Sequence, residues 1–387
     1  MPPINAVAAI TDEIAGWRQH LHRHPELMYE VHETAAFVAA RLREFGCDEV
    51  VEGIGRTGVV GIIHGSKGEG RTIGLRADMD ALPITETSGV PHASTVKGRM
   101  HACGHDGHTA MLLGAAKHLA DTRNFRGSVA VIFQPAEEGG AGGLAMVRDG
   151  MMERWGIEEV YGMHNFPGIP IGRFAIRSGA IMAATDEFTI HIKGKGSHAA
   201  QPHRSIDPIV AGAQLVTALQ TVVSRSVDPI ESLVVTVTKF QAGTAYNVIP
   251  ETALVAGTVR TLDGAVRDLA QSRITAICEG IATATEAEIK LDYHRNYPVT
   301  VNHETETGHA VEAASTVAGA DGVNTGVPPV MGGEDFSYML EARPGAFIFM
   351  GNGDSASLHH PNYDFADEAI PYGVSYWIRL AEQRLAA

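Results

Sequence analysis

Thr72-Ile73-Gly74-Leu75-Arg76-Ala77-Asp78-Met79-Asp80 is a short apolar run that ends in two acids. The same grammar returns three times. Val129–Phe133 leads into Gln134-Pro135-Ala136-Glu137-Glu138, and Val160–Met163 leads into His164-Asn165. Ala346–Met350 runs into a loop carrying His359 and His360. Runs that are apolar at nearly every position, with Gly58–Ile63 as a fifth, suit strands buried on both faces of a mostly parallel sheet covered by helices. In open α/β sheets ligands bind beyond the carboxyl ends of the strands. Acids and histidines delivered there by several strands therefore converge on one site. The expected fold class is α/β, with the functional residues at that end.

Helical patterns flank these runs at Thr11–Leu21, Glu33–Phe45, Gly107–Ala120 and Ile370–Leu385. The second places Phe37, Val38, Leu42 and Phe45 on one face and stops at Gly46. The middle of the chain has a different period. Phe188, Ile190 and Ile192 alternate with polar residues, as do Val234, Val235 and Val237 less strictly, which is the mark of a half-exposed antiparallel strand. Two long helical patterns, Ile206–Ser224 and Ala265–Ala284, lie among these strands. Residues 184–295 are expected to form a smaller α+β domain, inserted into a catalytic domain built from 1–183 and 296–387.

Composition narrows the function classes. A chain of 387 residues exceeds one ordinary hydrophobic core, so two domains are expected. No apolar run approaches the roughly 18 residues of a membrane span, and Met1–Ile10 lacks the basic and apolar regions of a secretory signal. A net charge of −15 argues against nucleic acid or anionic membrane as partner. Cys47, Cys103 and Cys278 are too few and too uneven for a disulfide scaffold, and fit a reducing cytoplasm.

The densest chemistry is His101-Ala102-Cys103-Gly104-His105-Asp106-Gly107-His108, one thiol and three imidazoles in eight residues before a helix. A thiolate with neutral imidazoles suits zinc, and imidazole also suits nickel, cobalt or manganese. Cys103 and His105 are the stronger ligand candidates, whereas His101 and His108 could equally cap or support. Adjacent side chains on an extended backbone point apart. Of Glu137 and Glu138, one can therefore ligate a metal while its neighbour faces the attacking water, which supplies the Lewis acid and general base that amide hydrolysis needs. Gly53-Ile54-Gly55-Arg56-Thr57-Gly58 matches a dinucleotide fingerprint by letter only. A strand pattern follows it rather than a helix, so it reads as a hairpin turn. A P-loop, a His-Glu-x-x-His helix and a nucleophile elbow are absent from the sequence.

Taken together, these segments resemble the M20 metallopeptidases, in the branch of hippurate hydrolases and N-acyl-amino-acid amidohydrolases. The resemblance runs through His22-Arg23-His24-Pro25-Glu26-Leu27, Leu75–Pro83, His101–His108, Gln134–Gly139, Gly162–Asn165, Gly196–Ala200 and Leu358–Pro361. It implies a zinc-peptidase-like catalytic domain interrupted by a lid or dimerisation domain, and a homodimer or homotetramer. It also implies two divalent ions per subunit (zinc, manganese, cobalt or nickel), held by Cys103, His105, Glu138, His164 and His359, with Cys103 a candidate bridge. His359 is preferred to His360 because the family has a ligand His, one variable residue, then Pro. Glu137 would be the general base and Asp80 would orient a ligand. Relatives outside this branch carry an imidazole where Asp78 stands, so Asp78 is not required as a ligand. In the inserted domain, His198 would stabilise the oxyanion, while Asn247 and Arg260 would hold the substrate's carboxylate. The implied reaction is hydrolysis of a small N-acyl amino acid. A dipeptidase or carboxypeptidase, or an N-acetyl-diaminopimelate deacetylase, would be alternatives on the same site.

Overall fold

The computed structural model describes residues 3–386, which divide into two compact units. The first comprises the chain up to Ile181, Val301–Pro328 and the chain from Asp335 onward. Its sheet contains β1 (Glu49–Ile54), β2 (Gly58–His64), β3 (Thr72–Asp78), β4 (Ser128–Gln134) and β5 (Ile157–Phe166). The spatial order is β1-β2-β4-β3-β5, continued by strands Gly345–Gly351, Phe174–Ala175 and Val323–Asn324. From β4 through β3 and β5 to Gly345–Gly351 every pairing is parallel. The antiparallel pairs lie outside this centre. Three of the four central strands read from the sequence are thus joined by the fourth, from near the other end of the chain.

These strands are apolar throughout because both faces are covered. Val129, Ala130, Val131, Ile132 and Phe133 are all fully buried, as are Ala346, Phe347, Ile348 and Met350. The helix His105–Thr122 carries Ala, Gly, Leu and Met on all sides, and its residues from His105 to Ala116 are buried, as expected of a helix that is apolar all round. The Gly53–Gly58 stretch is the turn between antiparallel β1 and β2, as expected. One boundary differs from expectation. His164 and Asn165 belong to β5 itself rather than to the loop after it.

A buried ion pair fixes the start of the His105–Thr122 helix. His22, from the helix Thr11–Arg23, places Nδ1 2.8 Å from Asp106 Oδ2 and Nε2 3.3 Å from Glu86 Oε1. Burial opposes the charged ring, but Asp106 and Glu86 win and hold the His22 imidazole up at about 9. A folded-state pKa raised above the unfolded value near 6.5 gives stability that is complete below about pH 6.5 and is lost as pH rises through about 9. The denaturant midpoint of the metal-free protein should therefore fall across that window. His22→Gln should flatten this part of the profile, and an unchanged slope would remove His22 as its cause.

The second unit comprises Met182–Thr300 and Pro329–Glu334. It therefore takes in Pro329–Glu334, a segment expected from the sequence to belong with 296–387. Its four-stranded antiparallel sheet runs Leu233–Ala242, Thr252–Thr261, Ala184–Lys193, Glu288–Arg295. Helices Pro208–Thr221 and Gly264–Thr285 contribute Leu215, Leu219, Ala270 and Ile274 to a core with Phe188, Ile190, Ile192, Val255 and Val259. Asp207 and Asp263 cap these helices, each accepting from the backbone N–H groups two and three residues on. The alternation of Leu233, Val235 and Val237 is masked because Val234 is apolar on the opposite face, and a register shift interrupts the pairing only beyond Val237. Among the described residues no helix is long and apolar enough to cross a membrane.

Candidate metal centre

The central parallel strands all deliver their carboxyl ends to one place, and the acids and histidines read from the sequence meet there. Asp78 ends β3, Glu137 and Glu138 follow β4, and His164 lies near the end of β5. Cys103 and His105 arrive from the loop and first turn of the helix His105–Thr122. Cys103 Sγ is 3.4 Å from His164 Nε2. Glu138 Oε1 lies 3.3 Å from His359 Nε2 and 3.9 Å from His105 Nε2. Two ligand sets result, Cys103–His105–His164 and Cys103–Glu138–His359, each with its donor atoms within 4.8 Å of one another. Cys103 is common to both. Glu137 joins a third such set with His105 and Glu138.

The imidazoles present lone pairs to this cluster because their far nitrogens are committed elsewhere. His105 Nδ1 donates to the Asp80 carbonyl at 2.8 Å, and His164 Nδ1 to the Asn165 carbonyl at 2.6 Å. That leaves Nε2 of each ring facing the cluster, as outer hydrogen bonds do for metal-bound histidines. Asp80 also braces the acidic loop: its two oxygens accept from the backbone N–H groups of Glu137 at 3.0 Å and Glu138 at 3.1 Å. His359 sits in the left-handed region at φ 64°, an uncommon conformation for a residue with a Cβ. Gly104, at φ 88°, leads into the helix. A Cβ there would lie 2.3 Å from Asn165 Nδ2 and 2.5 Å from the Tyr363 hydroxyl oxygen, so only glycine fits.

Electrostatics test whether these residues fit a cation. His105 Nε2 is buried and has no hydrogen-bond partner among the described residues. Burial disfavours a charged His105, yet Asp78, Asp80 and Glu138 raise its pKa to about 10, so the cluster demands positive charge at that ring. Burial, followed by Glu138, Glu137 and Asp78, pushes the Cys103 thiol well above its ordinary value, so a thiolate there needs a neighbouring cation. Burial and His108 hold His164 neutral. Burial opposes an ionised Glu138, but hydrogen bonding to His359 and the charge of His105 keep its carboxyl low. A hard or borderline divalent cation among a thiol, two carboxylates and three imidazoles answers all of these demands, and the donor set fits one. Residue groups able to hold two metal ions are therefore present.

The comparisons with known proteins agree. Residues 74–383 match the model of peptidase family M20/M25/M40. The chain belongs to this family. It is 42% identical over 384 residues to an N-acetyl-L-cysteine deacetylase of Bacillus subtilis, covering 99% of this chain and 90% of that protein. It is 41% identical over 381 residues to a hippurate hydrolase of Campylobacter jejuni, covering 98% and 99%. Among solved structures, a dinuclear metal-binding M20 peptidase of B. subtilis superimposes with a TM-score of 0.85 at 36% identity, covering 98% and 99% of the two chains.

Not every candidate histidine of this M20 chain joins the cluster. His360 is exposed and its Nδ1 accepts from the backbone N–H of Asn362 at 3.1 Å. His101 is buried and held neutral, with its pKa lowered to about 4 chiefly by burial. The remaining candidates belong to the second unit. His198 and Asn247 are brought together by a two-stranded ribbon, in which His198 pairs with Val248 and Ala199 N–H donates to the Asn247 carbonyl. His198 Nδ1 accepts from Ala200 N–H at 3.1 Å, which puts the ring proton on Nε2. Arg260 lies apart from that ribbon, on the four-stranded sheet opposite Thr185 and Val234. Its guanidinium donates to Thr258 Oγ1 and the Val259 carbonyl. Asp335 was not singled out from the sequence. Its carboxylate accepts from Gln134, Arg76 and the Gly143 backbone beside the cluster, and nothing in Gly332-Gly333-Glu334-Asp335-Phe336 signals a partner some 200 residues away.

Proposed function

We propose that this chain hydrolyses the amide bond of small N-acyl amino acids, releasing a carboxylic acid and a free amino acid. The observation that carries this is the thiol shared by two ligand sets beside a pair of carboxylates. It occurs in a chain about as similar to a hippurate hydrolase as to a deacetylase of N-acetylcysteine. Cys103, His105, Glu138, His164 and His359 would hold two divalent ions, Cys103 being common to both ligand sets. Zinc, manganese, cobalt and nickel all suit these donors. Bound there, the ions supply a Lewis acid for the amide carbonyl and a lowered pKa for the attacking water.

The chain's own groups then move the protons. Glu137, within 4.8 Å of the His105 and Glu138 donor atoms, takes a proton from the water and returns it to the leaving nitrogen. Asp80 keeps the two glutamates in their separate orientations through their backbone N–H groups. His198, with its proton on Nε2, has the tautomer needed to donate to an oxyanion. Asn247 and Arg260 are assigned the free carboxylate, for which a guanidinium fork is the suited donor.

We read the second unit as a lid and dimerisation module, and the protein as a cytoplasmic homodimer. The exposed edge strand Leu233–Ala242, with Phe240, and the outward Ile209 and Val210 of helix Pro208–Thr221 support association.

The function is tested with metal-stripped protein reloaded with zinc, manganese, cobalt or nickel. The panel holds hippurate, N-acetyl amino acids, N-acetyl-diaminopimelate and unblocked dipeptides. Metal-dependent release from the acylated compounds is expected. Cleavage of the dipeptides alone would move the protein to the peptidases.

A further inference from the structure

Both ring nitrogens of His108 are committed away from the metal-binding cluster. The residue follows His105 by three positions on the same helix and is buried, and its ring centroid is 4.5 Å from that of His164. Nε2 accepts from the backbone N–H of Asn165 at 2.9 Å, with the Asn165 side-chain nitrogen 3.0 Å away. An accepting nitrogen carries no proton, so the proton sits on Nδ1, which donates to Asp78 Oδ1 at 2.6 Å. The other Asp78 oxygen accepts from Arg76 Nη1 at 2.7 Å. Arg76 is in turn held by Gln134 Oε1 at 2.9 Å and Asp335 Oδ1 at 3.0 Å. All of these side chains are buried.

Asn165 is where this series of contacts meets the ligand-bearing backbone. Its carbonyl accepts from His164 Nδ1, which fixes the tautomer of that ring. Its side-chain amide donates to the Cys103 carbonyl at 2.7 Å, and its Oδ1 accepts from the Tyr363 hydroxyl at 2.7 Å. One residue therefore ties the thiol loop to the His164 strand, and His108 sets where that residue stands.

We infer that His108 is a positioning residue of the metal centre, holding the Cys103 loop and the His164 ring in register through Asn165, with Asp78 and Arg76 fixing its own ring. The inference rests on the metal-site reading above. Asp78, His105 and His108 also bring donor atoms within 4.8 Å of one another. A third cation there would have to displace bonds that His108 already makes at both nitrogens.

Two substitutions separate the arms of the ring. His108→Gln places an amide oxygen near the Nε2 position and keeps an acceptor for Asn165. His108→Asn places an amide N–H near Nδ1, keeps the Asp78 contact, and leaves the Asn165 N–H buried and unpaired. Cobalt(II) is the probe: bound ions per chain give stoichiometry, chelator competition gives affinity, and the sulfur-to-cobalt charge-transfer band reports the Cys103 bond.

His108→Asn should lose about 10–100-fold in cobalt affinity and shift the band, the usual effect of removing a partner behind a metal ligand, while His108→Gln stays within about threefold of wild type. Tyr363→Phe, which deletes one hydrogen bond to Asn165, should shift the band in the same direction even if His108→Asn fails to fold. Equal effects of Gln and Asn, or an unchanged band in Tyr363→Phe, would make His108 an ordinary core residue and overturn the inference alone. Wild-type protein that takes up no cobalt would overturn the metal reading and the inference with it.

Discussion

Glu137→Gln is expected to lower kcat by roughly 10²–10⁴-fold, the range for loss of a general base, while the protein keeps its full metal content. The two glutamates are neighbours in sequence, yet their environments separate their roles. Glu138 Oε1 sits 3.3 Å from His359 and belongs to a ligand set with Cys103. Glu137 shares no set with Cys103, but sits in one with His105 and Glu138 and in another with Glu334 and Asp335. The backbone N–H groups of both are held by Asp80, so exchanging one side-chain oxygen for nitrogen leaves the loop in place. Glutamine matches the size of glutamate but does not take up the water's proton. Turnover of an acylated substrate, measured beside metal analysis of the same sample, checks both halves. Activity within about threefold of wild type would remove Glu137 as the base.

The second large effect is expected at Cys103. Cys103→Ala should leave at most one ion per chain after dialysis and cost more activity than the roughly 10–100-fold typical of outer partners. Burial and three carboxylates oppose ionisation of this thiol, so only a cation beside it makes the thiolate stable. Removing the sulfur therefore removes a ligand from both sets at once. Cys103→Asp should restore the count and shift preference toward manganese, because a carboxylate is a harder donor than a thiolate. Metal analysis by mass spectrometry reads both variants. Two ions retained by the alanine variant would show that the sets do not depend on the shared sulfur.

Much of the fold was legible because two-sided burial leaves a simple mark. Val129–Phe133 can be apolar at every position only where water reaches neither face, and the acids that follow such runs end up side by side because parallel strands share an end. The Thr252–Thr261 strand was harder to read. Its buried positions alternate regularly in the structure, but Leu254 and Ala256 are apolar on the opposite face and mask the period. The support behind the site was less legible still. Arg76, Asp78 and His108 lie in quoted motifs, but their contacts with Gln134, Asn165 and Asp335 follow from packing between segments up to 259 residues apart. Hydrogen-bond partners at that separation leave no periodicity.

The Gly345–Gly351 strand has a consequence for how the protein is made. It sits inside the sheet, paired with β5 on one side and with Phe174–Ala175 on the other. Every residue of the second unit leaves the ribosome before it does. Until then β5 keeps a bare edge, buried apolar in the finished sheet and open in the nascent chain to any other strand. His359 emerges later still, so a growing chain can gather Cys103, His105, Glu138 and His164 but not close the ligand set. Yield in cells should depend on what shields that edge while the residues between β5 and Gly345–Gly351 are being made, and closure of the ligand set waits for His359.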